Sequence, residues 1–423
     1  MKPARWQTAV WLAVSLMATS AAAEDAPIVV GGDRVDFSDL RCLGGGTVVA
    51  AATIGTDGAL LHSADGGLQW RVVARGGDLA GVTPNFVDFP LGEHPTTLRA
   101  TGYRSKRLGP VLQSADGGRT WSAAPASLPA ELRSDMGMER VEAPIVVDGD
   151  GRLAVPRKYL DPAVLLSTDR GASWTETRVP GIETALYHLV GDGRGRLIAV
   201  GSTKPVFGID RLRVAQSDDG GRTWSMAMDE PADHLTCSPF LVGRVDGALM
   251  IYNPCRDHGR RYYLSGDGGR TWSARVYERH SRGAFELVAV LDEHRWVAVS
   301  QEGPNRSLIA WTSDNGGVNW SGRSTGFKAL SGNMWLHMQV MVPLPDGVVM
   351  AYINNGQLLR SEDRGESWKL IDTSLPRRTT LFMGSACTDG KGLVVLAGNK
   401  GMQVRSTDAG LTWQRGRMAT TAP

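Results

Sequence analysis

Five short polar segments gather the residues of this chain best suited to chemistry. They are TGYRSKRLG with Tyr103, Arg104, Lys106 and Arg107, PRKYLD with Arg157, Lys158 and Tyr159, a stretch with Lys204, NPCRDHGRR with Arg256, Asp257 and His258, and QEGPNR with Glu302 and Arg306. Guanidinium groups make paired, charge-assisted bonds to carboxylates. Sharing one face, these segments would form a basic basin with a few carboxylates at its edge, suited to an anionic sugar or another carboxylate ligand. Arg104, Arg157, Lys158, Lys204 and Arg256 are its candidate binding residues, together with Arg41 further upstream. Hydrolysis of a glycosidic bond needs two flanking carboxyl groups or a substitute nucleophile, for which Asp257 and Glu302 are the nearest candidates. Elimination from a uronate needs a base beside a cation, which Tyr159 with Arg157, or His258 with Arg256, would supply. A second polar set comprises Asp36, Asp39, Asp88, Glu139, Glu142, Tyr187, His188, His234, Glu286 and His337. No Cys-x-x-Cys or His-x-x-x-His spacing occurs, so neither a metal nor another cofactor is expected.

What must position these segments is a repeat. Eight copies of Ser-x-Asp-x-Gly-x-x-Trp recur at intervals of about fifty residues: SADGGLQW from Ser63, SADGGRTW from Ser114, STDRGASW from Ser167, SDDGGRTW from Ser217, SGDGGRTW from Ser265, SDNGGVNW from Ser313, SEDRGESW from Ser361 and STDAGLTW from Ser406. Asp65, Asp116, Asp169, Asp219, Asp267, Asp363 and Asp408 hold the acidic place, and Asn315 replaces Asp in the sixth copy. Short side-chain oxygens from Ser and Asp can accept loop amides in a tight turn, Gly supplies a positive φ, and Trp opens the next strand. Between copies stand apolar runs separated by Gly and Asp turns, as in MWLHMQVMVPL, PDG, VVMAYI, NNG and QLLRSEDRGESW. That pattern predicts antiparallel strands throughout.

These motifs resemble Asp-box repeats, also called bacterial neuraminidase repeats, and nearly the whole mature chain is similar to a β-propeller of the sialidase superfamily. The resemblance implies an all-β propeller of four-stranded blades, each box joining the third and fourth strands on the rim away from the central channel. Room for three strands before the first box and a fourth after Trp413 favours eight contiguous blades, with seven as the alternative; Ile28–Val30 could instead complete the last blade. The five polar segments then become connections after second strands, and the second polar set lies on innermost strands. Departures from true sialidases are plain. No Arg-Ile-Pro or Arg-Leu-Pro string occurs, Arg41 is the guanidinium nearest its expected place, and LFMGSAC around Phe382 lacks a hydroxyl nucleophile. Tyr159, Tyr187 and Tyr252 match no position of the family. The fold and the boxes carry over; catalytic residues do not.

Lys2 and Arg5 precede an apolar stretch from Ala9 to Met17 and then Ala21, Ala22 and Ala23, the layout of a secretory signal peptide. Residues 1–23 are therefore expected to be removed, leaving 24–423 as one propeller domain, secreted or periplasmic, with no transmembrane segment. In a closed ring blades one and eight are neighbours, and Cys42 and Cys387 hold the same place in their repeats, so a disulfide between them would staple the closure. Cys237 and Cys255 flank one hairpin and could form a second; the alternative is four buried thiols. Without Lys2 and Arg5 the 46 Lys and Arg fall to match the 44 Asp and Glu, a balance that argues against nonspecific nucleic-acid binding. Three classes of function fit: a carbohydrate-active hydrolase or lyase, a glycan-binding module, and an envelope scaffold. The expected partner is a carbohydrate or an envelope protein, and the expected state a monomer.

Overall fold

The computed structural model describes residues 27–87, 98–104, 107–108, 112–123, 145–147, 150–157, 161–169, 172–183, 185–192, 194–203, 209–235, 240–243, 249–252, 261–276, 287–292, 294–302, 305–328, 340–353, 357–373, 375 and 386–419. Their strands form eight sheets, each an antiparallel set from one stretch of chain, to which blade one alone adds a parallel strand, Arg417–Met418. Blade one runs Asp33–Gly44, Thr47–Ile54, Asp57–Ser63 and Gln69–Ala80. Blade four runs Ala185–Gly191, Leu197–Ser202, Ile209–Ser217 and Ser225–Leu235. The molecule is an eight-bladed all-β propeller, and the short turn Pro345–Gly347 is the one helical element among the described residues.

Why the middle strands read as continuous apolar runs follows from their packing. In Thr47–Ile54, Val48, Ala50 and Ala52 face blade eight with Val395 and Ala397, whereas Val49 and Ala51 face blade two with Phe86, Leu98 and Ala100. Both faces of a radial sheet are covered, so alternation disappears. Val349–Ile353 and Val394–Ala397 are likewise buried throughout. The outermost strands keep polar sequence because water covers them; Thr175–Arg178 is exposed along most of its length.

The repeated turn joins the third strand to the fourth in every blade, as Ser63 to Gln69 does in blade one. In each, the Ser hydroxyl donates to the carboxylate, or in the sixth to the Asn315 carboxamide, at 2.7–3.0 Å. The same oxygen accepts the amide four residues on, as Gly67 shows at 2.8 Å. The acid then accepts the amide that precedes Trp, for example Thr223 N at 2.9 Å. Gly365 shows why the glycine is required: its φ is +92°, and a Cβ there would lie 2.6 Å from Val297 Cγ1 of the preceding blade. Gly221 meets Leu166, Gly269 meets Ile198 and Gly317 meets Tyr262 in the same way. The turn is therefore also a packing knob against the blade before it, and this repeated contact puts the turns on one rim.

Among the described residues, several devices close the ring at one seam. Cys42 and Cys387 form a disulfide, with Cα atoms 5.4 Å apart and 345 residues between them in sequence. Ile28 N donates to Gly401 O at 2.8 Å, and Val29–Val30 pairs with Asp33–Arg34 of blade one. The start of the chain thus braces the seam without completing blade eight, whose fourth strand is Gln414–Arg415. After Gly416 the chain crosses, and Arg417–Met418 runs parallel to Gln69–Trp70 on the outer edge of blade one. Finally Arg405 of blade eight donates to Asp65 O in the first turn. Cys237 and Cys255 lie outside the described residues.

Candidate functional site

Because the strands alternate in direction, the connections from second to third strands emerge at the end opposite the repeated turns. The strand ends flanking the five polar segments are Arg104 and Arg107, Pro156 and Ala163, Ser202 and Ile209, Tyr252 and Arg261, and Glu302 and Ser307. All belong to that one face. Arg104 pairs in register with Arg107 across a short hairpin. Lys106, Lys158, Tyr159, Lys204, Arg256, Asp257 and His258 lie outside the described residues, as do Asp88, Glu139, Glu142, Glu286 and His337.

Arg157, half-exposed, donates to Glu176 Oε2 at 3.0 Å, and the Asp161 carboxylate lies 3.8 Å away. Glu176 is on the outermost strand of blade three, so this guanidinium leans away from the channel. Glu302 closes the second strand of blade six and accepts the Ser300 hydroxyl at 3.3 Å, while Ser300 accepts Trp311 Nε1 at 2.8 Å.

On the innermost strand of blade one, Asp39 and Arg41 form a separate cluster. Asp39 is buried; its Oδ1 accepts Leu40 N at 2.8 Å and a bond from Arg41, and its Oδ2 accepts Phe86 N of blade two at 3.1 Å. The Arg41 guanidinium donates to Leu40 O at 2.8 Å and lies over the Phe86 ring, 5.7 Å from its centroid. Burial pushes the Asp39 carboxyl up, against the pull of the Arg41 charge and the Phe86 amide. The cluster clasps blade one to blade two and holds one partly exposed cation beside an aromatic face. Elsewhere on inner strands, Asp36 accepts the Lys400 amide of blade eight, Tyr187 Oη lies 3.0 Å from Ser202 Oγ, and His188 is half-buried. Arg41 bonds to Asp39 and Leu40 O in blade one and lies over Phe86 of blade two, and Arg157 pairs with Glu176 in blade three. Among the described residues, no group of three or more His, Cys, Asp and Glu is arranged to hold a metal.

No family model and no curated protein matches this chain. Solved structures do. One described as YCF48 bound to D1 peptide aligns with a TM-score of 0.48 at 13% identity, covering 92% of this chain and 99% of that one. YCF48 from Cyanidioschyzon merolae gives 0.49 at 16% identity over 77% and 98%. The GH93 α-L-arabinofuranosidase of Fusarium graminearum with arabinobiose gives 0.39 at 14% identity over 77% and 91%. A GH74 enzyme from Niastella koreensis gives 0.31 at 15% identity over 88% of this chain and 67% of that one.

A set of cations that sequence reasoning missed ties the blades together. Arg152 donates to Asp219 O at 3.2 Å, Arg295 to Arg364 O at 2.8 Å and Arg360 to Ala409 O at 2.8 Å, each reaching the repeated turn of the next blade. Arg405 does the same at the closing seam. A signal for them exists: Arg stands either just before the second apolar run, in GRLAV and HRWVAV, or just before the motif Ser, in LLRS and QVRS. His62 occupies the second of these places in blade one, buried, with Nε2 unpaired. The turn it faces satisfies its own carbonyl, because Arg119 donates to Asp116 O at 3.1 Å.

Proposed function

We propose that this chain is an exported, sialidase-like Asp-box propeller that binds an acidic glycan on the face opposite its eight turns and acts on it as a glycoside hydrolase or polysaccharide lyase. One observation carries the reading: the strand ends flanking all five cation-bearing segments belong to a single face of the ring. A ligand spanning several blades on that face would meet the segments that carry Arg104, Arg157, Lys158, Lys204 and Arg256, whereas Arg41, in register with Val49 and so beside His62, stands nearer the first turn. In this reading Tyr159 or His258 is the base, and Asp257 and Glu302 are the carboxyl groups for hydrolysis. A disulfide, and the lack among the described residues of a helix long and apolar enough to cross a membrane, are compatible with life outside the cytoplasm.

A non-catalytic envelope scaffold is the second reading, favoured by the ion pair of Arg157 with Glu176. A cation already balanced by a neighbouring carboxylate offers less to an anionic sugar than to a protein surface of mixed charge. The deciding experiment incubates purified residues 24–423 with acidic and neutral glycans and reads products by mass spectrometry. A released sugar marks a hydrolase, and an unsaturated fragment marks a lyase. Arg256→Ala should then cut turnover at least about tenfold, the loss of one charge-assisted bond. No product from any glycan, with no glycan retained by the protein, would leave the scaffold reading.

A further inference from the structure

The sixth turn differs from its seven counterparts in one atom of consequence: Asn315 stands where they carry Asp, and Gly316 follows it. An Asn-Gly pair is the sequence in which a backbone amide most easily reaches the preceding carboxamide, because glycine adds no Cβ to hinder the approach. We propose that Asn315 is a self-modifying site, at which the folded turn converts its own carboxamide into the aspartate that the other turns carry.

The geometry supplies an activating pair of donors. Asn315 Oδ1 accepts the Ser313 hydroxyl at 3.0 Å and Asn319 N at 2.8 Å. Both bonds polarise Cγ, and both would strengthen as charge builds on that oxygen in a tetrahedral intermediate. The side chain is exposed, so the leaving ammonia has an open path, and Gly316 already holds a φ of +65°. Its amide donates to His294 O at 2.8 Å, and breaking that bond sets the pace.

The chemistry balances with water as the only co-reactant. Gly316 N attacks Asn315 Cγ, the Cγ–Nδ2 bond breaks, and ammonia departs with the amide proton, leaving a five-membered succinimide. One water then opens the ring. Attack at Cγ restores the normal backbone and yields aspartate; attack at the backbone carbonyl yields isoaspartate, with a methylene inserted into the main chain. The Ser313 and Asn319 donors sit on the Cγ oxygen, so they direct water to Cγ. Aspartate there receives the same two bonds as a carboxylate, like Asp267 or Asp363. Isoaspartate would displace Gly317, which at φ +82° packs where a Cβ would lie 3.1 Å from Tyr262 Oη.

The test keeps the mature protein folded at neutral and mildly alkaline pH, with a second sample held in urea. Peptide mass spectrometry follows the amide-to-acid mass change at Asn315, and isoaspartyl methyltransferase labelling separates the two products. In the folded protein, conversion should fall within an order of magnitude of the urea rate, with aspartate in excess; in urea, isoaspartate should dominate. Ser313→Ala should slow conversion in the folded protein by about tenfold or more, the scale of losing one oxyanion donor. Asn315→Asp supplies the product directly and should raise the melting temperature. An Asn315 that stays intact while the urea sample converts fully would overturn the proposal, as would an excess of isoaspartate from the folded protein.

Discussion

At the scale of single residues, the repeated turns are a charge-dependent device. Asp169 is held at about 2, chiefly by the Ser173 hydroxyl and amide and then by the Ser167 hydroxyl. For Asp219 and Asp267, burial pushes upward but is outweighed by hydroxyl and amide donors, chiefly those of Thr223 and Thr271, and both also settle at about 2. An unfolded aspartate titrates near 3.8, so these turns contribute stability that is complete above that value and is lost as pH falls towards about 2. Replacing Asp219 with Asn keeps one acceptor oxygen and removes the charge. The variant should lose about 1 kcal/mol at neutral pH by urea unfolding, the scale of a capping bond. At pH near 2 it should match the parent, and an equal deficit at both pH values would refute the charge argument. The seven Asp were legible as turn acceptors because both partners lie within one motif. Arg157 was legible only as a cation, since Glu176 stands 19 residues away and no local pattern joins the two.

Beyond the ladders within each blade, elements in this molecule are held by what each blade inserts into the next. Gly365 and its counterparts act as knobs, while Arg152, Arg295, Arg360 and Arg405 donate across the seams. Gly365→Ala should cost roughly 2–4 kcal/mol, because it combines a left-handed φ with a clash against Val297. Arg360, whose side chain is 4% exposed, donates to Ala409 O; Arg360→Met keeps the buried stem and should cost about 1.5–3 kcal/mol. Chemical denaturation measures both. His62 gives one seam a different pH response. Burial, and then the Arg119 charge, hold its imidazole below the usual value of 6.5, with Asp116 pulling the other way. The unfolded chain therefore takes up a proton that the folded one declines, and stability should fall as pH drops below about 6.5. His62→Gln should flatten that part of the profile in thermal melts from pH 8 to 5, and an unchanged slope would exclude His62 as its source. The positions of these Arg repeat in the sequence, but their partners were not visible beforehand, because strand periodicity says that a residue faces a neighbouring blade without saying what it meets there. Asp39 makes the same point. Its partner Phe86 lies 47 residues on, and this acid of an innermost strand clasps two blades.

For the whole molecule, the decisive question is how a ring of eight similar blades closes once and in register. The eight turns and the matching places of Cys42 and Cys387 made the blade count and the staple legible, since repeats convert sequence position into spatial position. The crossing of Arg417–Met418 to blade one was not legible, because two residues of parallel pairing leave no periodic trace. The disulfide and the terminal strand act on different states. Linking residues 345 apart restricts the unfolded chain, which in the loop-entropy account is worth about 4–5 kcal/mol. The terminal strand adds native contacts at the outer edge and leaves the reduced unfolded chain unconstrained. The pair Cys42→Ser and Cys387→Ser should therefore lower stability by several kcal/mol with the blades intact by circular dichroism, while removal of residues 417–423 should raise hydrogen exchange at Gln69–Trp70 and in the first turn. Because the two devices meet at one seam, the combined variant should lose more than the sum of the separate losses. Simple additivity would mean that the blade-eight to blade-one contact stays closed on its remaining bonds, among them those of Arg405, Ile28 and Asp36.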